Sequence, residues 1–237
     1  MQQTAKLAVI VPSFNEAKHI KRTLQTLAPW RAQGAVVIVV DGGSSDQTKL
    51  QCAGLIDGLV DANKGRAIQM NSGAQAAASQ FGCNAFVFVH ADTWVPDNGL
   101  TLIMQSINHP SQTNTAVIWG RFDVQIIGKS KWLHVIAWFM NIRSRMTSIA
   151  TGDQAIFMNQ TAFDRVGGFP NLPLMEDIQM SENLTRHSKP LCLRMKVSTS
   201  GRRWEERGIV KTVVLMWCLR FRYWMGDSAD ILAKKYR

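Results

Sequence analysis

The sequence predicts an α/β domain with a doubly wound, mostly parallel sheet flanked by helices and followed by a C-terminal amphipathic helical appendage. Three observations predict it. Short continuous apolar runs such as Leu7 to Val11 and Val36 to Val40 are bounded by turn residues, as in strands buried on both faces. Stretches between them carry apolar residues at helical spacing, for instance Ile20, Leu24 and Leu27. Several runs end in acidic or glycine-flanked loops, and carboxylates placed just after successive parallel strands converge on one crevice.

The elements follow in order. Leu7 to Val11, a helix over Ala17 to Arg31, and Val36 to Val40 form a βαβ unit with a right-handed crossover. A helix then starts at Asp46, capped by Ser45 or Asp46. Gly58 to Asp61 reads as a short strand, Gly65 to Gln80 as an alanine-rich helix, and Phe86 to Val89 as a central strand. A helix opens near Pro96, a favoured first-turn residue, and Ala116 to Ile127 is strand-like. Beyond residue 128 the spacing predicts a strand over Gln154 to Met158, a helix over Gln160 to Val166, and a loop at Gly167-Gly168-Phe169-Pro170. A helix starts after Glu176-Asp177, a strand covers Leu191 to Val197, and helices finish the chain. With no repeat or Pro/Ser-rich linker, the simplest division is a domain over 1–205 and an appendage over 206–237.

At 237 residues, 46% apolar and 19% charged, the chain is globular rather than disordered. Its net charge of +10 favours anionic partners. Nine basic against four acidic residues lie between Ser200 and Arg237, so the tail is the basic end. The four cysteines form no C-x-x-C pair, which excludes the usual zinc and disulfide frameworks. With no leader and no run of about 18 apolar residues, a cytoplasmic chain is expected, with the inner face of the membrane as a further location. Two aromatic segments, Trp132 to Met140 and Val213 to Met225, have basic neighbours. They read either as interfacial helices in peripheral contact with a membrane or as helices docked on the domain.

The loops carry the chemistry. Neither G-x-G-x-x-G nor the G-x-x-x-x-G-K-[ST] phosphate loop is present, so nicotinamide and P-loop chemistry lose their main support. Asp41, just after the second strand, can accept from a base or ribose, and the turn beginning at Gly42 lets backbone approach a ligand. Lys64-Gly65-Arg66 sets two cations beside a helix start, a grip for diphosphate. His90-Ala91-Asp92 is a short motif able to hold Mn2+ or Mg2+ against phosphate oxygens, with Asp92 the stronger candidate; His90 is either a ligand, which would favour Mn2+, or structural. Glu176 and Asp177 open a helix, and only one of two adjacent side chains can reach an acceptor hydroxyl as base while the other binds or caps.

Together these residues resemble the inverting family 2 glycosyltransferases of the GT-A fold, over about residues 6–205. Val11-Pro12-Ser13-Phe14-Asn15-Glu16 resembles that family's V-P-x-y-N-E loop, placing Pro12, Phe14 and Glu16 at the nucleotide. Asp41-Gly42-Gly43-Ser44-Ser45-Asp46 is similar to its D-D/G-x-S-x-D loop, and Lys64-Gly65-Arg66 to its K-G-x segment. His90-Ala91-Asp92 occupies the place of D-x-D, with Ala91 beside the nucleotide and His90 standing where the family has Asp. Gly152-Asp153-Gln154 and Gly167-Gly168-Phe169 match the segment before the E-D motif. Glu176-Asp177 resembles that motif, which implies Asp177 as catalytic base and Gly152, Asp153 and Glu176 near the acceptor. Ser200-Gly201-Arg202-Arg203-Trp204 keeps the Arg-Trp of the Q-x-x-R-W motif but not its Gln, so Arg203 and Trp204 are expected over the donor and a processive synthase is not.

The resemblance implies a nucleotide-diphosphate sugar, UDP-linked, as donor and a small-molecule or lipid-linked acceptor. Short length, His90 to Thr93, Gly152 to Gln154 and Arg202 to Glu205 also resemble a compact bacterial subfamily associated with radical-SAM enzymes and arsenosugar biosynthesis. Two rivals are a sugar-nucleotide nucleotidyltransferase and a non-catalytic, membrane-binding relative. The first wants a Gly-rich, basic first loop, absent here. No nucleic-acid partner is expected, because the tail's aromatics sit in an apolar helical run and not among basic residues along a groove.

Overall fold

The computed structural model describes residues 5–108 and 116–236; Arg237, counted in the basic tail, lies outside them. Eight strands form one sheet: β1 (Leu7–Ser13), β2 (Val36–Asp41), β3 (Gly58–Asp61), β4 (Ala85–Phe88), β5 (Thr93–Trp94), β6 (Trp119–Ile127), β7 (Phe157–Asn159) and β8 (Leu191–Ser200). Their order is β3-β2-β1-β4-β7-β6-β8-β5. The half from β3 to β4 is parallel. In the other half β7 runs antiparallel to β4 and β6, β6 and β8 are parallel, and β5 closes the edge antiparallel to β8.

Helices α1 (Ile20–Thr26), α2 (Ala28–Ala32), α3 (Thr48–Gln51), α4 (Arg66–Phe81), α5 (Gly99–Asn108), α6 (Trp132–Thr147), α7 (Gln160–Val166) and α8 (Glu176–Thr185) surround the sheet. Strand alternation explains why the runs are continuously apolar. Leu7, Val9 and Val11 share one cluster with Leu24, Trp30 and Ile103, while Ala8 and Ile10 share another with Met70, Ala74 and Ala77. Both faces of the central strands are therefore covered, as a doubly wound sheet requires. Helix α4 lies close enough that a Cβ on Gly73 would stand 2.5 Å from Ile10 Cγ2 and 2.8 Å from Val40 Cγ2.

Local chemistry shifts several boundaries. The helix expected over residues 17–31 is two helices, because Pro29 in the first turn of α2 has no N–H to continue the ladder from α1. The helix expected from Asp46 is a single turn starting at Thr48; Asp46 caps it by accepting from Thr48 N at 2.9 Å. The strand expected from Gln154 begins at Phe157, since Gln154 closes a capping box with Thr151 and Ala155 has φ 47°. Strand β8 runs on to Ser200 through its pairing with β6. The two-residue β5 is too short for alternation to reveal.

Three helices finish the described chain: α9 (Arg202–Arg207), α10 (Ile209–Trp224) and α11 (Ala229–Tyr236), separated at Gly208 and Gly226, both of positive φ. Leu219 of α10 and Leu232 of α11 pack against Leu174, Met175 and Ile178 at the start of α8. Tyr223 Oη donates to Gln179 Oε1 at 2.7 Å. The tail is thus docked on the domain, yet Val210, Val214, Trp217, Phe221 and Trp224 remain 60–77% exposed along one side of α10. No helix among the described residues is long and apolar enough to cross a membrane.

Candidate active site

The loops after β1 and β2 are tied into one floor. Asn15 takes φ 55°, a conformation asparagine tolerates. There its Oδ1 accepts from Ser45 N and its own N–H donates to Ser44 Oγ, both at 2.9 Å. Glu16 N donates to Thr48 Oγ1 at 2.8 Å, and Ala17 N to Asp46 Oδ2 at 3.1 Å. Beneath, the buried Gln69 of α4 donates from Nε2 to Ser13 O and Val40 O, each 2.8 Å away, pinning the carboxyl ends of β1 and β2 together. Gly42 leaves room for that amide, since a Cβ would sit 3.1 Å from Nε2.

Asp41 is fully buried at the end of β2 and accepts from Gly43 N at 3.0 Å, Ser44 N at 2.8 Å and the Ser44 hydroxyl. The Lys49 ammonium stands 3.7 Å from Oδ2 of the same carboxylate. The Lys64 ammonium stands 3.7 Å over the Phe14 ring, which brings the first loop and the Lys-Gly-Arg segment into contact.

Across the crevice, Arg66 at the start of α4 reaches Glu176 at the start of α8, Nη1 to Oε1, 3.3 Å. Glu176 is almost fully buried, and burial raises its pKa, offset by Arg66 and reinforced by Asp177. Asp177 accepts from Gly152 N at 2.9 Å through Oδ2 and from Ile178 N at 2.8 Å through Oδ1. His90 Nδ1 lies 3.5 Å from Asp153 Oδ1. Burial alone lowers the His90 pKa, but Asp153 outweighs it and the net shift is upward; burial alone raises the Asp153 carboxyl, but His90 outweighs it and the net shift is downward. The other edge of the imidazole abuts Gly152 so closely that a Cβ there would be 2.3 Å from Nε2.

Strand β8 delivers the arginines. Ser200 N donates to Asp92 O at 3.2 Å, so α9 opens beside Asp92. Burial and then Asp92 raise the Glu16 pKa, against the lowering pull of Arg202, Arg203 and His90. Arg203 donates to the Tyr236 hydroxyl, and Arg207 to Tyr236 O at 2.9 Å. Trp204 packs, half-buried, against the cluster of Ile126, Leu133 and Ala137.

Among the described residues no group of three or more His, Cys, Asp or Glu side chains is arranged to hold a metal ion. The donor set fits a hard divalent cation that takes most of its ligands from phosphate and water. Asp92 supplies a carboxylate near that of Glu16, whereas His90 has one nitrogen on Asp153 and the other edge against Gly152. A cavity of about 480 Å³ opens at the opposite, amino-terminal end of the strands, lined by residues such as Lys6, Gly34, Asn84 and Met104. It holds none of the carboxylates, so the chemistry, not the volume, locates the site.

The structure therefore gathers Phe14, Glu16, Lys64, Arg66, His90, Asp92, Gly152, Asp153, Glu176, Asp177 and Arg203 around the carboxyl ends of β1, β2 and β4. Pro12 is buried within β1 and Ala91 is buried, its carbonyl accepting from Thr23 Oγ1 at 2.7 Å. Gln69 was not singled out by sequence reasoning. Three residues beyond Arg66, it reads like any polar residue of an exposed helix side.

Sheet order, loop positions and flanking helices are those of the GT-A fold. The chain belongs to glycosyl transferase family 2, whose profile matches residues 8–167. No sequence among the curated proteins matches it. Among solved structures, S. aureus TarS superposes with TM-score 0.61 at 16% identity, over 82% of this chain and 36% of TarS. The TarS 1–349 structure in complex with UDP gives the same score, with 60% of that chain covered. The mannosyltransferase PcManGT from Pyrobaculum calidifontis, in complex with GDP-Man and Mn2+, gives 0.57 at 17% identity, over 83% of this chain and 57% of that one. Glucosyl-3-phosphoglycerate synthase from Mycobacterium tuberculosis, in complex with Mn2+, UDP and glucosyl-3-phosphoglycerate, gives 0.53 at 15% identity, over 82% and 71%. At these identities the likeness is one of fold. The chain spans little more than a third of the TarS chain it matches.

Proposed function

We propose that the protein transfers a sugar from a nucleotide-diphosphate sugar, UDP-linked, to an acceptor hydroxyl with inversion at the anomeric carbon. The observation that carries this reading is the placement of Asp177, its Oδ2 held by the Gly152 N–H, near Arg66 and Glu176 at the mouth of the parallel strands. Asp177 takes the proton of the acceptor hydroxyl as its oxygen attacks the anomeric carbon. The glycosyl–phosphate bond breaks on the opposite side, and its electron pair leaves with the diphosphate. Phe14, Lys64 and Asp41 receive the nucleotide, while Arg66 and Arg203 face the phosphates. Asp92 would hold a divalent cation, Mn2+ or Mg2+, with His90 oriented by Asp153. Bound there, such a cation supplies Lewis-acid neutralisation of the leaving diphosphate.

Calorimetric titration with UDP, GDP and CDP, each with Mn2+, Mg2+ or EDTA, tests the donor half. Metal-dependent binding of one diphosphate is expected; no binding under any condition overturns the reading. Neighbours solved with UDP or GDP-Man make these the first ligands to try. The resemblance to the arsenosugar-associated subfamily suggests the first acceptors.

The exposed stripe on α10, with Lys211 alongside, supports a second element of the reading, peripheral contact with an anionic membrane surface that would bring a lipid-linked acceptor within range. Salt-sensitive pelleting with phosphatidylglycerol vesicles, lost on Trp217→Ser and Trp224→Ser substitution, is the expected result. Pelleting unchanged by those substitutions rejects it.

A further inference from the structure

Arg143 has no part in the mechanism just described, yet it is the guanidinium the structure leaves unmatched beside the proposed base. It stands one turn before the end of α6, where its carbonyl accepts from Thr147 Oγ1 at 2.9 Å. The chain then passes Ala150, whose N–H donates to Ser181 Oγ of α8 at 3.1 Å, and reaches Gly152, whose N–H holds Asp177. The end of α6 and the start of α8 are thereby fastened together. Within this frame Nε and Nη2 of Arg143 are buried and have no hydrogen-bond partner among the described residues.

The neighbouring charges are already engaged. Arg121, fully buried under α6, donates to Ser144 Oγ at 3.0 Å and to Asn141 O at 3.2 Å, and it pairs with Asp123. Arg145 takes the other Asp123 oxygen at 2.7 Å. Glu176 is matched by Arg66 and Asp153 by His90. Burial acts against the charge of Arg143, Asp177 favours it and Arg121 again opposes it. An arginine cannot shed its proton to escape such a position. Nε–H and Nη2–H lie on one edge of the guanidinium, the edge that pairs with two oxygens of a single carboxylate or phosphate.

We propose that Arg143 is the anion-recognising side chain of the acceptor site, and that the acceptor carries a carboxylate or phosphate beside the hydroxyl it presents to Asp177. The assignment rests on the reading of Asp177 as base. It makes Arg143 a specificity-determining residue: an uncharged acceptor offers the guanidinium no counter-charge, whereas an anionic one is both held and oriented by a planar fork.

The test compares the full chain with Arg143→Gln and Arg143→Lys, each saturated with UDP and Mn2+ so that the donor site is filled. Titrants are glycerol, glycerate, glycerol 3-phosphate and inorganic phosphate in an anion-poor buffer. The wild type is expected to bind at least one organic anion about 10- to 100-fold more tightly than glycerol, the factor a charge-assisted bidentate contact supports. Gln removes that preference and Lys retains part of it, which a purely structural role for the side chain would not produce. Preference undiminished in Arg143→Gln, or no preference of the wild type for any anion over glycerol, overturns the proposal. UDP binding in the same titrations separates the two readings. Arg143-dependent anion binding in a protein that ignores UDP keeps the anion site and removes the glycosyltransferase reading; UDP binding without anion preference does the reverse.

Discussion

Arg66 and Glu176, 110 positions apart in the chain, meet at 3.3 Å and join the first residue of α4 to the first residue of α8. The pair links the proposed diphosphate grip to the element that carries Asp177. Arg66→Ala is expected to weaken UDP binding at least 10-fold and to lower stability by about 1–2 kcal/mol, because a buried carboxylate loses its counter-charge while solvent reaches the exposed side of the pair. Arg66→Ala combined with Glu176→Gln restores most of the stability but none of the UDP affinity. Denaturant unfolding and calorimetry on the four proteins of the cycle measure the two effects separately.

Asp177→Asn keeps an oxygen able to accept from Gly152 N and a side chain of the same size. Donor binding is therefore expected to stay within about two-fold, while the transfer rate falls by about 10²–10⁴, the usual contribution of a general base. Equal turnover in the variant removes Asp177 from the mechanism.

Gly152 serves two neighbours at once: its N–H positions Asp177, and its missing side chain makes room for the His90 ring. Gly152→Ala places a methyl 2.3 Å from His90 Nε2, and the ring cannot swing away without breaking from Asp153. The expected outcome is at least a 10-fold loss of transfer with donor affinity less affected, since a small misplacement at reacting groups is costly. Single-turnover kinetics on the variant distinguish the chemical step from donor binding.

Gly73 tests how α4 is seated. In an exposed helix Gly→Ala gains about 1 kcal/mol. Here the new methyl would meet Ile10 Cγ2 and Val40 Cγ2 well inside contact distance. Overpacking of this kind costs about 1–3 kcal/mol, so net destabilisation is expected, along with weaker UDP binding as Arg66 and Gln69 shift with the helix. A midpoint of urea unfolding at or above wild type would show that α4 can move away freely.

The parallel half of the sheet was legible because its strands are buried on both faces and read as unbroken apolar runs, from Leu7 to Val11 and from Val36 to Val40. The loop residues were legible because Asp41, Asp92 and Asp177 each follow or precede a regular element at a point where only the crevice is available. What stayed hidden depends on long-range pairing. Thr93–Trp94 becomes a strand only through β8, and Gln69 matters only because Ser13 O and Val40 O converge above it. The packing of Trp204 against the cluster of Ile126, Leu133 and Ala137 likewise depends on how α6 folds back. Composition alone did not show how the second aromatic segment is seated: α10 has one side docked near the start of α8 and another exposed.

Asp57 provides a pH-dependent check on the fold away from the crevice. It accepts from Arg31 Nη2 at 2.6 Å, from Arg31 Nε and from Val37 N at 2.8 Å, joining α2 to the start of β2. Burial alone pushes its carboxyl up, but the Arg31 guanidinium and the Val37 N–H outweigh that and hold it below its ordinary value of 3.8. The folded protein therefore binds this proton less readily than the unfolded chain. The stabilisation is complete above pH 3.8 and is lost as pH falls through the lower folded value. Asp57→Asn is expected to lower stability by about 1–2 kcal/mol near neutrality, the worth of a charge-assisted bond to a partly buried acceptor. The gap between wild type and variant should narrow only below pH 4, as the wild-type carboxylate takes up its proton. A gap that stayed constant down to pH 2 in urea unfolding would mean that Asp57 acts through packing and not through its charge.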